Sequence, residues 1–347
     1  MNFNEIFGTF GLQSTSFLFQ LLIVLVKIAV VIAITMLHVA YATYFERKVI
    51  GHMQVRVGPM RVGPHGLLQP IADGVKLFFK EDIIPSNADR TVFQIAPLVA
   101  VFATLSSLAV IPFYDIFYIA NINVGILYIF AMSSLGAYSL IMSGWASNSK
   151  YSFLGGLRST AQVVSYEIAM AFSLVSIMLM AGSMNLIEIV QAQQQYWYGM
   201  YLIPQFVAYI VFLIAMLAET NRTPFDLPEA ESELVAGYFV EYSGMRFALF
   251  FLGEYIGMIV MSSLAVVCFW GGWTVPPILL KFIPQLAIVP GIVWFILKVY
   301  FHIFLFYWIR ATLPRYRYDK LMALGWKILI PVALANLVVT SIIKYIY

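Results

Sequence analysis

Between Glu219 and Gly244 the chain reads ETNRTPFDLPEAESELVAGYFVEYSG. This stretch carries six carboxylates, Glu219, Asp226, Glu229, Glu231, Glu233 and Glu241, against the single cation Arg222. Long apolar segments flank it, and charged residues make up only 11% of the sequence, so acid at this density is hard to explain as packing. Carboxylates kept against a membrane usually serve ions, protons or a polar ligand. Glu46, Glu167 and Glu254 stand within or at the ends of other apolar runs. Buried carboxylates can exchange protons near neutral pH. Glu46, Glu167, Glu219 and Glu254 could therefore form a path from one membrane face toward the midplane, with Glu46 and Glu219 at the inner ends of their helices. Each acid alone could equally be half of an ion pair, for instance Glu46 with Arg47 or Arg56. Pro224 and Pro228 break the helix and shape the acidic loop. Phe225, Tyr238 and Tyr242 interleave with the acids, as suits either a cavity for a ring with polar edges or ordinary core packing.

Other chemistries lack their residues. The four histidines have no metal-site spacing, and His38 and His302 stand singly in apolar runs as hydrogen-bonded packing residues. One cysteine, Cys268, cannot make an intrachain disulfide, a zinc site or an iron–sulfur cluster, so any electrons are handled by another chain. GPMRVGPHG lacks the Gly-Lys-Ser/Thr of a phosphate loop, and no GxGxxG opens a helix after a strand. A net charge of +3 without clustered basic and aromatic residues gives no nucleic-acid surface.

The elements that must position the acids are membrane helices. Hydrophobic residues are 62% of the chain and the mean hydropathy is +0.87, leaving too little polar surface for a soluble protein. Eight apolar runs approach or exceed the roughly 20 residues that span hydrocarbon: Phe17–Tyr44, Val92–Phe113, Val124–Trp145, Thr160–Ala181, Met200–Ala218, Phe247–Phe269, Val289–Ile309 and Ile328–Ile346. Backbone groups in lipid must be satisfied within each segment, so the runs are helices. The expected fold is an all-α integral membrane protein, one transmembrane domain over residues 1–347. The first run is longer than a bilayer requires and is expected to tilt, with Lys27 facing protein or snorkelling. The start MNFNEIFGTF lacks the basic residues of a cleavable signal, so that run reads as a retained anchor.

Lys and Arg set the orientation. The odd connections hold Arg47, Lys48, Arg56, Arg61, Lys76, Lys80 and Arg90; Lys150 and Arg158; Arg222 and Arg246; and Arg310, Arg315, Arg317, Lys320 and Lys327. The even connections and the termini hold only Lys281 and Lys344. The odd connections are thus expected on the cytoplasmic or matrix side and both termini opposite. The first inside loop, 46–91, has turns at Gly58-Pro59, Gly63-Pro64 and Gly66 and then an amphipathic pattern. Leu67, Leu68, Ile71, Val75, Phe78 and Phe79 share one face, and Gln69, Asp73, Lys76 and Lys80 the other. Such a helix lies along the interface, either as a brace or as the doorway for a lipid-soluble molecule, with Asp73 facing a polar chamber. The acidic inside loop, 219–246, runs against the positive-inside bias and calls for compensation by Arg222, by Arg310, Arg315 and Arg317, or by a partner subunit.

Four blocks carry a resemblance: YATYFERKVIGHMQVRVGPMRVGPHGLLQPIADGVKLFFKE, GGLRSTAQVVSYE, AETNRTPFDLPEAESELVAGYFVEYSGMRFALFFLGEY and IRATLPRYRYDKLMALGWK. Through them nearly the whole chain resembles the quinone-chamber membrane subunits of respiratory complex I, the proton-pumping NADH:quinone oxidoreductase, a translocase. The resemblance implies eight transmembrane helices and inside loops that floor a quinone tunnel roofed by peripheral subunits. It implies Glu46, Arg47, Asp73, Arg222, Asp226, Glu229, Glu231 and Glu233 around the chamber, and Glu167, Glu219, Glu241 and Glu254 on the proton path. It implies ubiquinone or menaquinone as substrate, and no FMN, iron–sulfur cluster, NADH or metal on this chain. The partners it implies are the other membrane subunits, the peripheral quinone-module subunits and the lipid bilayer. The implied location is a bacterial inner membrane with periplasmic termini, or else the mitochondrial inner membrane. Met60 stands where the family commonly has Asn, and Phe239-Val240 where it often has His-Thr. Two alternatives remain open at this level: the membrane anchor of a related ion-pumping hydrogenase, and a stand-alone secondary ion transporter.

Overall fold

The computed structural model describes residues 17–196, 198–226 and 235–346. Among them the chain is helical, with one isolated bridge between Tyr114 and Phe117 in place of any strand. In chain order the helices are α1 (Phe17–Met53), α2 (Gln69–Phe79), α3 (Arg90–Ser107), α4 (Gly125–Ala146), α5 (Lys150–Ala181), α6 (Leu186–Gln194), α7 (Phe206–Glu219), α8 (Gly244–Phe269), α9 (Pro277–Phe282), α10 (Gly291–Thr312) and α11 (Tyr318–Leu324). A π-helical turn at Gly325–Leu329 then leads into α12 (Ile330–Ile346). Seven of these units are long and apolar enough to cross a membrane, counting α11 to α12 as one, and α7 is a shorter apolar helix in the fifth place. The protein is an all-α integral membrane protein.

Several boundaries differ from the hydropathy pattern: α3 stops at Ser107 short of Phe113, the last span starts at Tyr318 ahead of Ile328, and three more bear on the acids. Helix α1 continues past Tyr44 to Met53. The run FERKV ends the apolar pattern, but Glu, Arg and Lys are good helix formers and keep the helix going. Glu46 therefore lies inside α1 and does not cap its end. Its 37 residues extend roughly 55 Å at about 1.5 Å each, well beyond a hydrocarbon layer of about 30 Å. Helix α5 begins at Lys150 instead of near Thr160, which places Glu167 about 25 Å along its helix at roughly 1.5 Å per residue. Residues 201–205 are turns, and α7 starts only after Pro204, which has no amide proton to give a preceding turn.

Packing explains the early start of α5. A Cβ on Gly144 would meet the Ser152 carbonyl at 2.7 Å, and one on Gly156 would meet the Leu140 carbonyl at 2.9 Å. Helices α4 and α5 thus touch backbone to backbone, the small-residue contact that replaces hydrophobic drive between helices in lipid. Asp89 caps α3 by accepting from the amides of Thr91 (3.1 Å) and Val92 (3.3 Å). Helix α8 is the central post: 72% of its most apolar window is buried, against 28% for α1 at the periphery.

The isolated cations and imidazoles find partners locally. Lys27 donates to the Tyr118 carbonyl (3.3 Å), so it faces protein. Lys298 donates to the carbonyls of Trp270 (2.6 Å), Gly272 (2.9 Å) and Thr274 (2.8 Å), closing the end of α8. His38 bonds the Tyr300 hydroxyl at 2.8 Å and His302 the Tyr209 hydroxyl at 3.0 Å. Helix α2 matches the amphipathic expectation. Its apolar face is uncovered, with Phe78 71% and Phe79 88% exposed, as suits a helix lying in the interface.

Candidate functional site

The site is built from residues within α1 and α8, the segment that follows α7, and the last turn of α10. Gln162 of α5 organises the segment after α7. Its amide donates to the carbonyls of Ala218 (2.8 Å) and Phe225 (2.8 Å) and to Asn221 Oδ1 (3.2 Å). The chain turns back on itself, with the Arg222 amide on the Leu217 carbonyl at 3.1 Å. Arg222 is thereby aimed into the bundle instead of out of it. The Ala218 carbonyl also accepts from the Asn221 amide and Asn221 Oδ1 from Ser159, so replacing Gln162 with Leu would chiefly take away the donor of the Phe225 carbonyl, at about 1–3 kcal/mol. The assembled protein is expected to lose thermal stability, read by the midpoint of irreversible unfolding in detergent, and an unchanged midpoint would count against this role.

Arg222 meets two acids. Its Nη1 lies 3.1 Å from Glu46 Oε1 and 3.3 Å from Oε2, and its Nε forms an ion pair with Glu254 Oε1. Its guanidinium carbon lies 4.4 Å from the centroid of the Tyr255 ring, a cation–π distance. Arg310, in the last turn of α10, binds Glu46 Oε1, and the Tyr255 hydroxyl donates to Glu46 Oε2 at 2.6 Å. The side chains of Glu46, Arg222 and Glu254 are 5%, 6% and 10% exposed. Two carboxylates and two guanidiniums balance, which is how buried charge is tolerated. Burial opposes the charge of Arg222, but the Glu254 and Glu46 carboxylates outweigh it and raise its pKa well above the ordinary range.

Asp226 pairs with Arg315 at 2.9 Å. Burial pushes its carboxyl up from the usual range, against the downward pull of Arg315. On the outer rim Arg47 pairs with Asp73 at 2.9 Å, and Gln69 donates to the other Asp73 oxygen at 3.0 Å. The Arg47 side chain is 55% exposed, so this pair joins α1 to α2 where solvent or a ligand can reach it.

A second acidic group lies along α4. Ser133 donates to Glu219 Oε1, and Ser134 donates to Glu167 Oε1 at 2.7 Å. Glu219 and Glu254 line one interior cavity of about 110 Å³, together with Thr104, Ser107, Ser133 and Tyr238. That is room for several waters. Glu167 lines a different space, a groove of about 870 Å³ along α4 and α5 that also reaches Met184 and Lys344.

The structure thus joins Glu46, Arg222 and Glu254 directly, has Glu219 and Glu254 line one cavity, and places Glu167 on a separate groove, held by the serine next to the one that holds Glu219. Glu46 does not pair with Arg47 or Arg56. Arg47 lies about 100° further round the helix and turns to Asp73, while Arg56 bonds Gln54 at 2.7 Å. Glu241, just before α8, has no ion pair among the described residues and belongs to neither group. Glu229, Glu231 and Glu233 lie outside the described residues. No group of three or more His, Cys, Asp or Glu among the described residues is arranged to hold a metal. The sequence reading missed Tyr255, Ser133 and Ser134 and named Arg310 only as one of several compensating cations. The signals were a tyrosine beside Glu254 and a polar doublet in an apolar run.

The family model described as NADH dehydrogenase matches residues 26–341. The chain belongs to this family. The match runs from α1 into α12 and includes every described member of both acidic groups. Related proteins from several bacteria carry the name of the H subunit of NADH-quinone oxidoreductase. That of Rhodospirillum rubrum is 59% identical over 304 residues, 87% of this chain and 88% of the relative. That of Paramagnetospirillum magneticum is 54% identical over 325 residues, 94% of this chain and 93% of the relative. That of Rickettsia rickettsii is 53% identical over 332 residues, 95% and 96% of the two chains. Within the NADH dehydrogenase family, then, this chain presents a four-charge cluster in which Glu46, Arg222 and Glu254 are buried and Arg310 reaches the surface, an Arg47–Asp73 rim and a cavity lined by Glu219 and Glu254.

Proposed function

We propose that this chain is the membrane subunit of a proton-translocating NADH:quinone oxidoreductase that forms much of the floor of its quinone chamber. The observation that carries the reading is the cluster of buried Glu46, Arg222 and Glu254 with the more exposed Arg310, near the Arg47–Asp73 rim and sharing through Glu254 the cavity that Glu219 lines. The uncovered apolar face of α2 gives a greasy quinone a way in from the bilayer. Arg47, Asp73, Arg222 and Asp226 line or shape the chamber, and Glu229, Glu231 and Glu233, outside the described residues, contribute to it. Glu254, Glu219 and Glu167 lead protons away, and Glu241 lies at the edge of that path. The flavin and iron–sulfur centres belong to neighbouring peripheral chains, which deliver the electrons. The quinone is ubiquinone or menaquinone. The odd connections face the cytoplasm of a bacterial cell and the termini its periplasm.

Quinone takes up two electrons and two protons to become quinol, so charge in the chamber changes during turnover. At an effective dielectric of about 20, one charge about 10 Å away shifts a group's protonation by roughly 1.7 kcal/mol. That exceeds the roughly 1.4 kcal/mol of one pKa unit. Coupling between the chamber and its carboxylates can therefore be electrostatic.

The test has two parts. Purified through a tag on this chain, the assembly is expected to bring an NADH-oxidising flavin arm; recovery of a nickel–iron hydrogenase, or ion flux by the chain alone in liposomes, would overturn the assignment. Arg47→Ala is expected to lower quinone-linked NADH oxidation about tenfold, the scale of one lost charged hydrogen bond. NADH oxidation by an artificial acceptor should stay intact, and wild-type quinone kinetics would remove Arg47 from the chamber.

A further inference from the structure

Adjacent residues on a helix point about 100° apart, so Ser133 and Ser134 of α4 face different neighbours. Ser133 reaches Glu219 of α7, and Ser134 reaches Glu167 of α5. The two carboxylates open into different spaces. Glu219 lines the interior cavity that Glu254 also lines, whereas Glu167 lines the lateral groove along α4 and α5. Ser133 occupies Glu219 Oε1 only, while Glu219 Oε2 is buried without a partner. A buried carboxylate oxygen without a donor is costly and is ready to take a proton or a water from the cavity.

We propose that Ser133 and Ser134 are positioning residues for proton transfer. Each hydroxyl holds one carboxylate oxygen and leaves the other aimed into its space, Glu219 toward the interior cavity and Glu167 toward the lateral groove. Without the hydroxyl, the carboxylate turns freely about its last side-chain bonds, and the proton it carries is presented in many directions instead of one. The serines bind no substrate and gain or lose no proton overall. They set where Glu219 accepts a proton from the cavity water and where Glu167 releases one. The doublet is thus the point at which the path changes from the interior of this chain to its flank. Other serines of α4 differ: Ser139, which lines the same cavity, bonds back to the Gly136 carbonyl of its own helix at 2.6 Å.

The inference rests on the proposed function, and the experiment separates the two. In the complete enzyme in proteoliposomes, Ser133→Ala and Ser134→Ala are each expected to lower protons moved per quinone reduced about tenfold, as for one hydrogen bond to a charged group. Ser133→Thr and Ser134→Thr, which keep the hydroxyl, should restore the ratio, and Ser139→Ala should leave it unchanged. Infrared difference spectra taken on quinone reduction should show a carboxyl band that moves in the Ala variants and not in Ser139→Ala. If Ala variants fail to assemble, Ser133→Cys and Ser134→Cys keep the volume but donate weakly, and loss of coupling in those assembled enzymes supports the role. Normal coupling and an unmoved band in the Ala or Cys variants, alongside a coupling defect in Glu219→Gln, would overturn the serine inference alone. Normal coupling in Glu219→Gln as well would overturn the proton path itself.

Discussion

Arg222→Leu is expected to abolish quinone-linked turnover, by at least about a hundredfold. The guanidinium answers both Glu46 and Glu254, and Arg310 touches only Glu46. Removing one partner of a buried pair costs about 3–5 kcal/mol, because the remaining charge is left uncompensated. Here two acids are affected, and they relax by taking up protons or water. Either change alters the charge balance of the proposed chamber floor. Arg222→Lys should recover only part of the loss, since one ammonium cannot reproduce a fork that places Nη1 on Glu46 and Nε on Glu254. Assembly is read from NADH oxidation by an artificial acceptor and from subunit composition. Turnover is read with a short-chain quinone. Wild-type quinone turnover in an assembled Arg222→Leu enzyme would show that the cluster is only structural.

The next largest effect is expected from Glu219→Gln and Glu254→Gln. Glutamine keeps the shape and can accept the bond from Ser133 or face Arg222, but it cannot release a carboxyl proton. Removing a positioned proton-transfer group costs about 10²–10⁴-fold in rate, so proton-coupled quinone reduction should fall by at least about a hundredfold in each. Artificial-acceptor activity should persist. The two variants should also differ. Glu254→Gln leaves Arg222 with one acid and is expected to weaken assembly in addition, whereas Glu219 has no ion pair among the described residues to lose. Unchanged quinone turnover and pumping in both variants would remove these residues from the path.

The fold was legible because lipid permits few solutions. Apolar runs near or above the spanning length must be helices, and the helices found here follow those runs. Their ends were less legible, because hydropathy marks where the apolar layer stops and not where the helix does. Hydropathy therefore makes Glu46 an end cap, although α1 runs on past it to Met53. The acids themselves stood out against a chain so poor in charge. Their partners did not, since Glu46 and Arg222 are separated by 176 positions in sequence and only the turn held by Gln162 brings them together. Ser133 and Ser134 escaped notice because a hydroxyl in a membrane helix usually bonds its own backbone, as Ser139 does.

Both ends of the acidic connection are fastened to one helix. Gln162 holds residues 218–225, and about two turns earlier Gly155 lies so close to Gly237 that a Cβ there would meet its Cα at 2.6 Å. Any displacement of that connection, from a molecule arriving or departing above it, is therefore loaded onto α5 as onto a single shaft. The same shaft carries Glu167. Mechanical strain and electric field would reach that side chain by separate routes, and stiffening the rod between residues 155 and 167 would leave the second untouched while altering the first.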